Sequence, residues 1–128
     1  MNTKYKLTLG VIAGALLGAL AVQGLHAQVK PKAYLVTESE VLDAAALSAY
    51  APVTQAVQKA AGGRPGVVPA SGKVIPLIGD APKRIGVSEW DSLEKLQAWY
   101  NSPERKALTP QREKAFKTVR QYMVEAAN

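Results

Sequence analysis

The stretch "RIGVSEWDSLEKLQAWYNSPE", Arg84 to Glu104, decides the fold. Its first part alternates Arg84, Gly86, Ser88 and Trp90 against Ile85, Val87 and Glu89, the period-two signature of a strand. Asp91 with Glu94 forms an Asp-x-x-Glu pair suited to capping the helix that follows. Leu93, Leu96, Trp99 and Tyr100 then fall on one side of that helix. Asn101-Ser102-Pro103-Glu104 restarts a helix: Ser102 caps it, Pro103 suits its first position and Glu104 favours its dipole. A strand running directly into a one-faced helix calls for a sheet with helices laid on it. Neither face of the strand is purely polar, so both faces are expected to be covered, one by helices and the other by a second copy of the chain.

Working outward, "AYLVTESEV" (Ala33 to Val41) is rich in β-branched and aromatic residues and reads as another strand. Asp43 can cap the helix after it, whose inner side carries Leu47, Tyr50, either Val53 or Thr54, then Val57 and Ala61. Pro52 is expected to kink or divide that helix, and Gly62-Gly63 to end it. Val67-Val68 and Lys73 to Ile78 read as short β segments limited by Pro69 and Pro76, an edge hairpin with Ser71-Gly72 at its tip. Asp80 to Pro82 makes a turn. Thr109-Pro110 repeats the capping device of Ser102-Pro103, and Lys117 to Ala126 reads as the last strand. This order of elements gives an α+β sandwich: an antiparallel sheet with helices on one face.

The N-terminus has a different character. Lys4 and Lys6 precede an apolar run from Leu7 to Val22, and Leu25-His26-Ala27 makes a small-residue exit. Basic head, apolar middle and small exit describe a secretory signal cut after Ala27, which gives a periplasmic or secreted protein. The rival reading is a retained anchor, since the run approaches the roughly 17–25 residues that span a bilayer. On the first reading, residues 1–27 are the signal, 28–32 a linker and 33–126 the domain, with no stable membrane insertion after cleavage. The only histidine, His26, leaves with the signal, and the chain has no cysteine. The remaining 101 residues, Gln28 to Asn128, therefore hold no Ser-His-Asp or Cys-His system and no ordinary zinc or haem ligand. No dinucleotide fingerprint is present, so no cofactor is expected. The net charge of +6 is spread along the chain rather than clustered, and no nucleic-acid-binding motif accompanies it.

Together, "AYLVTESEVLDAAALSAYAPV", the Gly62-Gly63-Arg64 triplet, the opening stretch and Arg112 resemble the domain-of-unknown-function family numbered 1330. The resemblance runs from about Lys32 to Ala126. It implies a ferredoxin-like protomer of the dimeric α+β barrel superfamily, and hence a homodimer. Three positions depart from the family pattern: Arg105 replaces an aromatic residue, Pro65-Gly66 follows Gly-Gly-Arg, and the last strand ends Glu125-Ala126. Superfamily relatives include cofactor-free monooxygenases, isomerases and haem enzymes, so the fold does not select a reaction.

Two function classes follow from the residues. One is a homodimeric small-molecule-binding or interaction protein. The other is a cofactor-independent enzyme with a carboxylate general base, Glu89 being the candidate. Glu38 shares a strand face with Tyr34, Val36 and Glu40, and could meet Glu89 in a cleft where one carboxyl would be raised into the working range of a base. Equally, these carboxylates could pair with Arg64, Arg84 or Arg112. Trp90, Trp99 and Tyr100 could line an aromatic pocket or form core; Trp99 shares its face with Leu93 and Leu96. Arg112 could hold a ligand carboxylate by its planar fork, or fasten Glu104 or Glu113 on its own helix. The candidate ligand residues are thus Glu38, Arg64, Arg84, Glu89, Trp90, Tyr100 and Arg112, with Glu89 expected in the polar wall of any pocket.

Overall fold

A computed structural model describes residues 29–127. The segment read as an export signal, His26 included, lies outside them. Among the described residues no helix is long and apolar enough to cross a membrane.

The central strand β1 (Ala33–Val41) is flanked on both sides. Its neighbours are β3 (Arg84–Trp90) and the C-terminal β4 (Phe116–Glu125), and β2 (Arg64–Val68) adds the far edge, giving the order β2-β3-β1-β4. All three pairings are antiparallel. Between β1 and β2 runs α1 (Ala44–Ala60); between β3 and β4 run α2 (Leu93–Tyr100), α3 (Pro103–Ala107) and α4 (Thr109–Ala115). This is the expected α+β fold, an open four-stranded sheet of ferredoxin-like connection.

Local chemistry explains most boundaries. The Asp43 carboxylate accepts from the Ala46 amide at 2.9 Å and starts α1. Ser102 accepts from the Arg105 amide at 3.3 Å, with Pro103 just inside α3. The Ala115 carbonyl accepts from the amides of Leu42 and Asp43 at 3.0 and 3.2 Å, tying the start of α1 to the α4–β4 junction.

Other expectations need correction. Pro52 does not divide α1, which runs unbroken through it. Pro52 and Ser48, four residues earlier, are both exposed, so the carbonyl that loses its partner faces water. The cap of α2 is Ser92, accepting from the Lys95 amide at 3.3 Å, while Asp91 is drawn into ion pairs with Arg64 and Lys95. Thr109 lies inside α4 and gives no cap. Lys73 to Ile78 forms no strand. The edge position belongs to β2, and the segment beyond it leaves Leu77 and Ile78 more than nine-tenths exposed, at 94% and 98%. Within β2, Arg64 pairs with Glu89 and Val68 with Val87, so four steps along one strand match two along the other. Pro65 and Gly66, the latter at φ +72°, take up the excess.

The core lies between sheet and helices. Ala33, Leu35, Trp90, Leu96 and Trp99 are buried together, with Val57, Leu93, Tyr100 and Met123 against them. The rings of Trp90 and Trp99 pack 5.0 Å apart. On its other side Trp90 fills the space above Gly63: a Cβ there would stand 2.5 Å from Trp90 Cζ2. Trp90 is fully buried and cannot move aside. Gly63→Ala should therefore destabilise the domain by about 1–3 kcal/mol, the usual cost of overpacking a filled core. Urea denaturation measures this, and an unchanged midpoint would show that the indole has room to shift.

Candidate functional site

The register of the sheet sorts the candidate residues onto two faces. Directly opposed residues share a face, so the helix-covered side is a ladder of rows. Ala33 faces Trp90 and Glu125; Leu35 faces Ser88 and Met123; Thr37 faces Gly86 and Gln121; Ser39 faces Arg84 and Thr118. The rows pass from large apolar groups at one end to small polar and cationic ones at the other. At the apolar end the helices close onto the sheet. At the polar end they do not, and a cavity of about 380 Å³ opens between α1, the sheet and the α3–α4 segment.

Its polar wall includes Thr37, Ser39, Gln121, Arg84, Arg105 and Arg112; its apolar wall includes Leu35, Tyr50, Val68, Trp99 and Phe116. Arg84 donates from Nε to the Ala70 carbonyl at 3.2 Å and lies 5.7 Å from the centre of the Phe116 ring. Burial lowers its pKa from the usual guanidinium value, because water that would hydrate the cation is displaced. Arg105 stacks 3.8 Å from the centre of the Tyr100 ring and donates to the Tyr100 carbonyl at 3.4 Å. Tyr100 donates its hydroxyl to Gln121 Oε1 at 3.0 Å, and Gln121 Nε2 donates to Thr37 Oγ1 at 2.9 Å. That chain fixes the polar floor. Among the described residues no Asp or Glu lines the cavity. Two buried polar atoms of lining residues, Trp99 Nε1 and Gln58 Oε1, have no protein partner.

The opposite face carries Glu38, Glu40 and Glu89. Glu89 accepts from Arg64 Nε at 2.6 Å and from Lys32 Nζ at 3.1 Å. Arg64 also reaches Asp91 at 2.9 Å, and Asp91 meets Lys95 at 3.2 Å. Glu38, buried on this same face, accepts from Arg120 Nε at 2.8 Å. The Arg64 bond, followed by that from Lys32, holds the Glu89 carboxyl below its usual range; Lys95 and then Arg64 do the same for Asp91. The Arg64 guanidinium is raised in turn, first by Glu89 and then by Asp91.

Of the sequence candidates, then, Arg84 and Arg112 line the cavity, and Tyr100 supports it through Arg105 and Gln121. Trp90 lies under Trp99, buried. Glu38, Arg64 and Glu89 sit on the other face and do not line the cavity, so Glu89 does not form its polar wall. Glu38 and Glu89 do not pair; each is matched to its own arginine. Arg105, Gln121, Thr37 and Ser39 were not among the candidates; Trp99, read as either pocket wall or core, is both. A signal for them existed: Ala33, Leu35, Thr37 and Ser39 turn from apolar to polar along one strand face, as do Trp90, Ser88, Gly86 and Arg84 along its neighbour.

The fold and site define a small α+β domain with a cationic, carboxylate-free cavity beneath its helices. The chain belongs to the family described as Domain of unknown function (DUF1330), whose sequence profile matches residues 32–127. No curated protein matches it. Among solved structures it is similar to RPA0582, a protein of unknown function from Rhodopseudomonas palustris, with 15% identity and a TM-score of 0.61 over 84% of this chain and 92% of that one. The methylated form of RPA0582 gives 14% identity and a TM-score of 0.58 over 84% and 90% of the two chains. At such identities the likeness is one of fold.

The carboxylate pairs predict an acid response. Because Glu89 and Asp91 have folded pKa values below their usual 4.5 and 3.8, their contribution is complete above those values. It is lost as pH falls through the lower folded values. Stability should be level near neutrality and decline in acid, and Glu89→Gln should flatten part of that decline. Thermal melts from pH 7 to pH 2 test this; parallel curves for the two proteins would mean that the Arg64 bond adds no stability.

Proposed function

We propose that this is an exported, homodimeric protein that holds one small molecule per protomer in the cavity between sheet and helices. The observation that carries the reading is that cavity: about 380 Å³, within the roughly 300–1,000 Å³ of small-molecule sites, with an apolar wall and a facing wall of polar and cationic groups. Export rests on the N-terminal pattern of basic head, apolar run and small exit.

Support for the dimer comes from the uncovered sheet face. Tyr122 and Val124 are exposed there, in rows with Val36, Val87 and Tyr34. The described helices that cover the sheet lie on the other side. A second sheet packed face to face would bury those apolar groups, as the dimeric α+β barrel does. Glu38 and Glu89 on this face are already paired within the chain, which lowers the cost of covering them.

The alternative, a cofactor-independent enzyme, needs a base near its ligand. No carboxylate of the described residues lines the cavity, and the Glu89 carboxyl, held low by two cations on the other face, is a weak base. Binding is therefore the better-supported function.

Native mass spectrometry of the exported product should give a dimer of chains beginning at Gln28. A monomer at micromolar concentration would remove the paired-sheet arrangement, and chains retaining residues 1–27 would remove cleavage.

For the cavity, a fragment screen by protein NMR should yield amphipathic hits that shift the indole resonance of Trp99, assigned with Trp99→Phe. If no fragment moves that resonance, the cavity is not a ligand site.

A further inference from the structure

Taking the cavity as the binding site, its charge says what kind of molecule it takes. Three arginines border it, and no carboxylate of the described chain does. Three of the four carboxylates in the sheet are engaged with other cations: Glu38 with Arg120, Glu40 with Lys83, and Glu89 with Arg64 and Lys32; the fourth, Glu125, stands at the far end of β4 and does not line the cavity. Arg84 is half-buried, with one nitrogen bonded to the Ala70 carbonyl and its face toward Phe116. Its other donors meet no protein acceptor among the described residues. Arg112 stands one helical turn before Phe116, and no described residue hydrogen-bonds or ion-pairs with its guanidinium. Partly desolvated cations without a counter-charge are costly, and an anion delivered by a ligand offsets that cost.

The rest of the lining limits the anion's carrier. Leu35, Val68, Trp99 and Phe116 give the same space an apolar surface, interspersed with the hydroxyls and amides of residues such as Thr37, Ser39 and Gln121. A compact, fully hydrated anion would leave the apolar part of those walls uncovered. A planar carboxylate on an apolar body satisfies both parts, because the guanidinium fork matches it with two parallel bonds. We propose that the cavity selects a small organic carboxylate, its anionic group held by Arg84 and Arg112 beside Phe116 and its apolar body against Trp99. Arg105, committed to the Tyr100 ring and carbonyl, adds positive potential without being the primary clamp.

The probes are 2-naphthoate and its neutral isostere 2-naphthamide, titrated into protein expressed from the full chain and followed by quenching of Trp99 fluorescence and by calorimetry. Naphthoate should bind at least about tenfold more tightly than naphthamide, since a charge-assisted pair exceeds a neutral hydrogen bond by that order. Arg112→Gln and Arg84→Gln should each lower naphthoate affinity about tenfold and leave naphthamide affinity unchanged, with Arg112→Lys only partly restoring it. Melting curves report whether each variant is folded; should Arg84→Gln fail to fold, Arg112→Gln, on a peripheral helix, decides the matter. Equal affinity for both probes, unmoved by Arg112→Gln, overturns the carboxylate assignment while leaving the cavity a binding site. Failure of both probes to bind at millimolar concentration overturns the assignment together with the cavity reading beneath it.

Discussion

The packing of Trp90 against Trp99 is the contact on which the remaining architecture depends. Trp90 ends β3 and is wholly buried; its N–H is satisfied by the Ser88 hydroxyl at 3.3 Å. Two residues later Ser92 opens α2, and that helix returns Trp99 over the indole at 5.0 Å. Strand, cap and helix therefore close one tight loop around two aromatic rings. Gly63, at the end of the long helix crossover, is pressed against the other side of the same indole, so α1 and β2 are placed by it too. Aromatic pairs of this kind contribute beyond their buried area, and they are directional, which fixes where α2 lies and not merely that it packs.

From that fixed end the sheet and helices diverge. The rows beginning at Ala33–Trp90 and Leu35–Ser88 are filled by Leu96, Trp99 and Met123. The next rows offer Thr37, Gly86 and Gln121, then Ser39, Arg84 and Thr118, and the space above them, bordered by Tyr50 and Phe116, stays open as the cavity. Gly86 contributes no side chain to its row. The cavity is thus the consequence of a polarity gradient written along three adjacent strands. Ser102 gives the chain a new helix just past Trp99, and that turn hangs Arg105 over Tyr100 at the cavity's border.

The two faces of the sheet divide the charges. Cations without carboxylate partners gather under the helices, while Glu38 and Glu89 take their arginines on the open face. Alternation alone produces this division: Glu38 and Glu89 stand one residue out of step with Thr37 and Ser88, and a single step along a strand changes faces. The same step that removes Glu89 from the cavity makes it a cross-strand partner for Arg64, directly opposite in β2. One face is consequently suited to holding an anion. The other is suited to being covered by a surface that need not supply charge.

The elements themselves were legible in the sequence, because their signals are local. Strand alternation from Ala33 and Arg84, the Asp43 and Ser102 caps, and the stripe of Leu93, Leu96 and Trp99 each depend on neighbours a few residues apart. Pro52 and Lys73 to Ile78 were misread because their outcome depends on surroundings: a helix face open to water in one case, and an edge already occupied by β2 in the other. The site was half legible. Arg84 and Arg112 could be picked as candidates by type, yet neither spacing nor composition could say that they would border one cavity with Arg105 rather than pair with Glu38 or Glu89. The sequence by itself determined which residues share a strand face or a helix stripe, since backbone geometry sets those periods. Only the tertiary structure decided which face the helices would cover, and therefore which arginines would be left without a carboxylate, since that depends on register between strands far apart in the chain.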